Sequence, residues 1–197
     1  MYSVLVDRAL AVALEAHAGQ VRKDALGTPY VTHPLHVALL LARAGLDEDV
    51  VVAGLLHDVV EDCEDWSIER IESEFGPHVG AIVGQLTEDK SKSWEHRKRA
   101  GIEHIAHMSP EAASVKACDK LHNLRSLREQ LEAADEHDAV WSRFNGGRER
   151  TLLIAREFVD ALTKRIDAKL ARALEAALHL LEETVAKDGD RKQRASV

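Results

Sequence analysis

The chain has 197 residues, 45% of them apolar and 30% charged, and carries a net charge of −8. That length suits one domain with a substantial core, and the ordinary composition leaves no low-complexity tract to read as disordered. The acidic balance excludes a general nucleic-acid binder, which needs a positive surface, and charges or histidines interrupt every apolar stretch before bilayer length.

The start, Met1-Tyr2-Ser3-Val4-Leu5-Val6-Asp7-Arg8, acquires charge too early for a secretory leader, and Cys63 and Cys118 make no disulfide framework. The expected protein is soluble and cytoplasmic. Apolar residues recur at helical spacing from Val4, Leu5, Ala9, Val12, Ala13 and Ala16 onward, with no convincing strand alternation. The expectation is an all-α fold, a single-domain helical bundle of roughly eight to ten helices. Breaks fall at Gly19 to Pro34, Gly45 to Asp47, Asp65 to Ser67, Gly76-Pro77, Asp89 to Ser93, Ser109-Pro110 and Asn145-Gly146-Gly147.

Four elements place polar groups against apolar runs. After the helix that stops at Gly19, Arg22 and Lys23 pair a guanidinium able to fork two oxygens with a point charge, which suits phosphate but also fits an ordinary basic loop. His33 precedes Pro34, which disfavours helix before it, so the ring stands at a helix start as a ligand from a loop or as a gap-filling histidine. His57, Asp58, Glu61 and Asp62 follow the apolar run Val50 to Leu56 and read as one polar arc on a buried helix. Carboxylates there need pairing or a cation, so the tetrad reads as a metal site.

The fourth element, Asp119 and Asn123, shares a helix face and offers a carboxylate and an amide, or a plain surface pair. His122 is expected at the surface. Of the basic residues Lys90, Lys92, Arg97, Lys98 and Arg99, most read as a solvated face, while Arg143, Phe144 and Arg148 are candidates to complete a pocket. Leu170, Leu174, Ala177, Leu178 and Leu181 form a stripe that packs on the domain or on a second subunit, leaving a homo-oligomer open. The expected layout is a domain over 1–165, a C-terminal helix over 166–187 and a flexible tail over 188–197. No His-Glu-x-x-His pair, Cys-x-x-Cys set, Gly-x-Ser-x-Gly elbow or glycine-rich phosphate loop offers another chemistry.

The strings Ala16-His17-Ala18-Gly19-Gln20-x-Arg22-Lys23, Gly27-x-Pro29-Tyr30-x-x-His33-Pro34, Leu55-Leu56-His57-Asp58-Val59-Val60-Glu61-Asp62 and Asp119-Lys120-Leu121-His122-Asn123-Leu124 resemble the HD-domain hydrolase half of RelA/SpoT-type alarmone enzymes. Without synthetase or regulatory length, the chain is similar to the small stand-alone alarmone hydrolases. The resemblance implies an HD-type fold in which His33, His57, Asp58 and Asp119 bind one divalent metal, typically Mn²⁺. It also implies that Glu61 and Asp62 orient or deprotonate the attacking water, and that Arg22, Lys23 and Asn123 hold the nucleotide. The implied reaction releases pyrophosphate from the 3′-diphosphate of (p)ppGpp. Alternatives are an HD-type phosphohydrolase acting on another nucleotide or phosphorylated metabolite, and a nucleotide-sensing module without turnover.

Overall fold

Eleven α-helical segments follow one another in the computed structural model, which describes residues 3–195, with side chains through residue 188. They are α1 (Val4–Ala16), α2 (Thr32–Ala44), α3 (Glu48–Leu56), α4 (Val59–Asp62), α5 (Ile68–Phe75), α6 (Pro77–Leu86), α7 (Trp94–His104), α8 (Pro110–Ala133), α9 (His137–Trp141), α10 (Gly147–Leu162) and α11 (Ala168–Ala195). Among the described residues the one extended pairing is an isolated bridge between Val21 and Pro29, so the all-α expectation holds. Local chemistry sets the ends. Ser67 accepts from the Arg70 amide at 3.3 Å and Ser109 from the Ala112 amide at 3.1 Å, each satisfying a donor that the first helical turn leaves open. Pro110 follows Ser109 at the first helical position, where its missing N–H costs nothing. Gly45 closes α2 in a left-handed conformation, φ 81°.

The tetrad departs from its expected single helix. α3 stops at Leu56, the backbone turns at His57 and Asp58, and Glu61 and Asp62 belong to the separate short α4. On a straight helix neighbouring side chains point about 100° apart, so two adjacent residues converge on one point only if the chain turns between them. A break not expected from sequence also separates α8 from α9 within the polar stretch 129–138.

α8 is the spine, packing against α2, α3, α6, α10 and α11. Ala112, Ala113, Val115, Ala117, Leu121 and Leu124 bury its flank, and the small residues let neighbouring helices approach closely. Leu170, Leu174, Ala177 and Leu181 of α11 are buried along it, so the C-terminal stripe finds its partner within the chain. The expected tail, 188–197, lies almost wholly outside the residues whose side chains are described, although helical backbone is assigned to Ala195.

The α2–α3 contact holds the site from beneath. Gly54 faces α2, where an added Cβ would stand 2.4 Å from Leu41 Cδ1 and 3.6 Å from the Ala38 Cα. Because Leu41 is fully buried, it has little room to yield. Gly54→Val is therefore expected to destabilise the fold by about 1–3 kcal/mol through overpacking. A urea midpoint unchanged by this substitution would show the contact to be slack.

Candidate active site

Three separated stretches meet at one end of the bundle. His33 projects from the first turn of α2, His57 and Asp58 from the α3–α4 turn, and Asp119 from the middle of α8. His33 Nε2 lies 3.3 Å from Asp119 Oδ1 and 3.7 Å from Asp58 Oδ2, and His57 Nε2 lies 3.2 Å from Asp58 Oδ2. Donor atoms of His33, His57 and Asp58 fall within 4.8 Å of one another. Asp119 stands outside that closest set but against His33, so the four expected metal residues are neighbours.

A surrounding layer fixes each ring and carboxylate. The Tyr30 hydroxyl donates to Asp58 Oδ2 at 2.6 Å, and burial together with Asp58 raises the phenol's pKa, so it stays a donor. The His57 Nδ1 lies 2.8 Å from the Gly54 carbonyl oxygen, to which it donates, leaving Nε2 aimed at the cluster. His33 Nδ1 meets His122 Nδ1 at 2.7 Å. His122 is thus no surface residue: it is half-buried, stacks on His36 with ring centroids 4.6 Å apart, and is pushed down to about 3 by burial and the neighbouring cations. A neutral His122 can accept from His33 and leave His33 Nε2 free to ligate.

The cluster suits a divalent cation. His57 is 4% exposed, and its Nε2 is buried without a hydrogen-bond partner, an orphan polar atom beside carboxylates. Burial opposes charge on His57, but Asp58 and Asp119 outweigh it and push the ring up to about 9, so positive charge is drawn to this point. Burial would raise Asp119, yet Lys120 at 3.0 Å, His33 and Lys116 hold it well below the usual carboxylate range. Two imidazole nitrogens and two ionised carboxylates form a mixed donor set for such a cation.

Glu61 and Asp62 flank this centre differently. Glu61 Oε2 accepts from the Glu88 amide at 3.3 Å, and burial, Glu88 and Asp58 raise its pKa, making it a better proton acceptor than an open carboxylate. Asp62 instead pairs with Lys90. The loop ahead of α2 is pinned by Asp24, whose Oδ1 accepts from the Leu26 and Thr28 amides, while Gly27 adopts φ 65°. This turn brings Arg22 to Asn123, with Nη2 to Oδ1 at 2.9 Å, and Asn123 donates in turn to Asp119 Oδ1 at 2.5 Å. Lys23 is exposed at the rim.

Of the nine site residues expected from sequence, all except His57 line one cavity of about 540 Å³. Lys90, Arg97 and Lys98 line it too, so three of the five residues expected on a solvated face point inward, while Lys92 and Arg99 remain outside. Phe144 lines the cavity as anticipated; Arg143 and Arg148 do not. Sequence reading missed Tyr30 as an Asp58 partner, Glu88, which joins Arg97 at 3.1 Å and Lys98 at 2.8 Å, and the buried Lys116. Seven lysine and arginine side chains line the space against five carboxylates.

A helical protein with a buried histidine–aspartate centre opening into a basic cavity is the class that this geometry defines. The chain belongs to the HD-domain family, whose profile matches residues 9–151. It is 47% identical over 117 residues to the zebrafish (Danio rerio) guanosine-3′,5′-bis(diphosphate) 3′-pyrophosphohydrolase MESH1, an alignment covering 58% of this chain and 64% of that protein. Against the protein of the same name in Xenopus tropicalis, identity is 44% over 128 residues, covering 64% of this chain and 71% of the relative. Among solved structures, a metazoan orthologue of SpoT described as hydrolysing ppGpp superposes with a TM-score of 0.77 at 35% identity, over 91% of this chain and 96% of that one. The motif resemblance to alarmone hydrolases is borne out.

Two measurements test the centre. Tyr30→Phe removes one oriented donor to Asp58 and is expected to cost about 10–100-fold in divalent-metal affinity, read by chelator competition; an unchanged affinity would make the bond incidental. Ligation also requires the His57 Nε2 proton to leave, and this ring is pushed up to about 9. Metal affinity is therefore expected to climb about tenfold per pH unit from neutrality toward that value and then level off, whereas a flat profile by calorimetry would exclude His57 as the proton-releasing ligand.

Proposed function

We propose that this protein is a metal-dependent hydrolase that removes the 3′-diphosphate of guanosine-3′,5′-bis(diphosphate), giving pyrophosphate and the 5′-diphosphate nucleotide. The observation that carries this reading is a histidine–aspartate cluster, with donor atoms suited to a cation, opening directly into a cavity walled by basic side chains. The names of the relatives support the guanosine substrate, although the chain spans 64% of the zebrafish protein's length. We assign His33, His57, Asp58 and Asp119 as the metal ligands and Mn²⁺ as the metal, since paired imidazoles and carboxylates fit a borderline-hard cation. The free cysteines Cys63 and Cys118 accord with action in the cytoplasm.

Each residue then has a task. A divalent cation held by His33, His57, Asp58 and Asp119 would supply charge stabilisation at a phosphoryl oxygen. Glu61, its basicity raised by burial and like charge, takes a proton from the attacking water. Asp62, paired with Lys90, positions that water from the far side. Arg22 and Lys23 bind phosphate oxygens at the mouth, and Asn123 exchanges its Arg22 contact for the nucleotide. Water adds across the bond between the ribose 3′ oxygen and phosphorus. Its oxygen joins the diphosphate, and the 3′ oxygen leaves with the bonding pair and takes up a proton.

Product analysis decides the reaction. With Mn²⁺ and a panel of phosphorylated nucleotides, ppGpp is expected to release pyrophosphate, and orthophosphate as the sole product would overturn the reading. Glu61→Gln is expected to keep bound metal while losing about 10²–10⁴-fold in kcat. Full turnover by that variant would transfer the base's role elsewhere.

A further inference from the structure

Three of the four cations along the inner wall of the cavity have carboxylate partners. Arg97 and Lys98 share Glu88, and Lys120 Nζ stands 3.0 Å from Asp119 Oδ2. Lys116, one turn before Lys120 on α8, is 7% exposed and lines the cavity, yet among the described residues it forms no hydrogen bond or ion pair. Its charge is felt by Glu61, Glu88 and Asp119, all of which it stabilises as anions and all of which line the same cavity.

Such a lysine needs an explanation, because its side chain is buried among carboxylates yet closes no ion pair with any of them and opens only into the cavity. Asp119 has its counter-charge in Lys120, and Glu88 has two already, so neither requires Lys116. The stem is buried and the head group opens into the cavity, where a bound anion would meet it. An unspent positive charge beside the cluster and Glu61 suits an anion that arrives with the substrate.

We propose that Lys116 is a catalytic residue that binds the 3′-diphosphate, donating from its ammonium to a non-bridging phosphate oxygen as the bond between the 3′ oxygen and phosphorus breaks. This rests on the reading of the site as a diphosphate-releasing hydrolase. Free pyrophosphate carries more negative charge than the esterified diphosphate. An ammonium held ready at the departing group therefore favours the cleaved state over the bound substrate.

The test uses metal-loaded protein, comparing the wild type with Lys116→Met, which keeps the length of the side chain and removes its charge. Four quantities are read: bound metal, ligand-free Tm, the Tm shift produced by inorganic pyrophosphate, and kcat and KM for ppGpp. The variant is expected to keep its metal and to melt close to the wild type, since the substitution removes no hydrogen bond or close ion pair. It is also expected to lose most of the pyrophosphate-induced shift and about 100-fold or more in kcat/KM, mainly in kcat. A lower Tm with an undiminished pyrophosphate shift would make Lys116 a structural counter-charge and overturn the proposal. Should the Met variant fail to fold, Lys116→Gln is read by the same shift, with the same two outcomes. If wild-type protein does not turn over ppGpp but loses its pyrophosphate shift on substitution, the anion site stands and the substrate assignment falls. If ppGpp turnover survives Lys116→Met unchanged, the substrate assignment stands and the anion site falls.

Discussion

The turn between His57 and Asp58 is the constraint on which the rest depends. Two residues adjacent in sequence aim at one point only because α3 ends at Leu56 and α4 begins afresh at Val59. The Gly54 carbonyl, one turn before the break, receives the Nδ1 proton of His57 and so fixes which nitrogen faces the cluster. Gly54 is also where α2 presses against α3, with Leu41 already inside the distance that a Cβ would need. Packing and ligand orientation therefore share one residue: the close approach of α2 that excludes a side chain at Gly54 also delivers His33 to its place beside Asp58 and Asp119.

Around this point the buried polar groups form a connected chain rather than isolated pairs. Arg22 holds Asn123, Asn123 holds Asp119, Asp119 faces His33, and His33 meets His122. On the other flank Tyr30 holds Asp58, and Arg22 lies over the Tyr30 ring at 5.7 Å. In a low-dielectric interior a satisfied network of this kind specifies one arrangement, while a broken one leaves groups that neither water nor protein can pair. A residue at the mouth of the cavity is thus tied mechanically to the metal cluster. Any displacement of Arg22 from Asn123 would be registered at Asp119, two hydrogen bonds inward.

Much of this was legible in the sequence. Helical periodicity gave the all-α class; Ser67, Ser109 and Pro110 marked helix starts; and clustered charge beside Val50 to Leu56 marked part of the buried histidine–aspartate cluster. What resisted reading was orientation. A His-Asp pair after an apolar run looks the same whether the helix continues or turns, because the turn is enforced by tertiary packing and not by a glycine or proline. His122 looked peripheral because its partners, His33 and His36, are remote in sequence. Lys98 and Arg97 read as a solvated stripe, since nothing local announces that Glu88 turns them inward. The α11 stripe stayed ambiguous for the same reason: a single chain does not state which surface its apolar face will cover.

Net charge and local field also point in opposite directions here. A chain of −8 repels polyanions at a distance, yet its cavity gathers seven cationic side chains against five carboxylates, and four of those five are already engaged by lysine, arginine or histidine. Glu61 is the exception, approached only at 3.7 Å by an Arg97 that Glu88 holds more closely. The acid least neutralised by its surroundings is therefore the one whose proton affinity is raised, and it stands beside the one buried lysine that no carboxylate claims. Among the described residues the two form no ion pair with each other, although the lysine's charge opposes the rise in Glu61's proton affinity. Direct contact between Glu61 and Lys116 would satisfy both groups; instead Glu88 takes Arg97 and Lys98, and Glu61 accepts from the Glu88 amide.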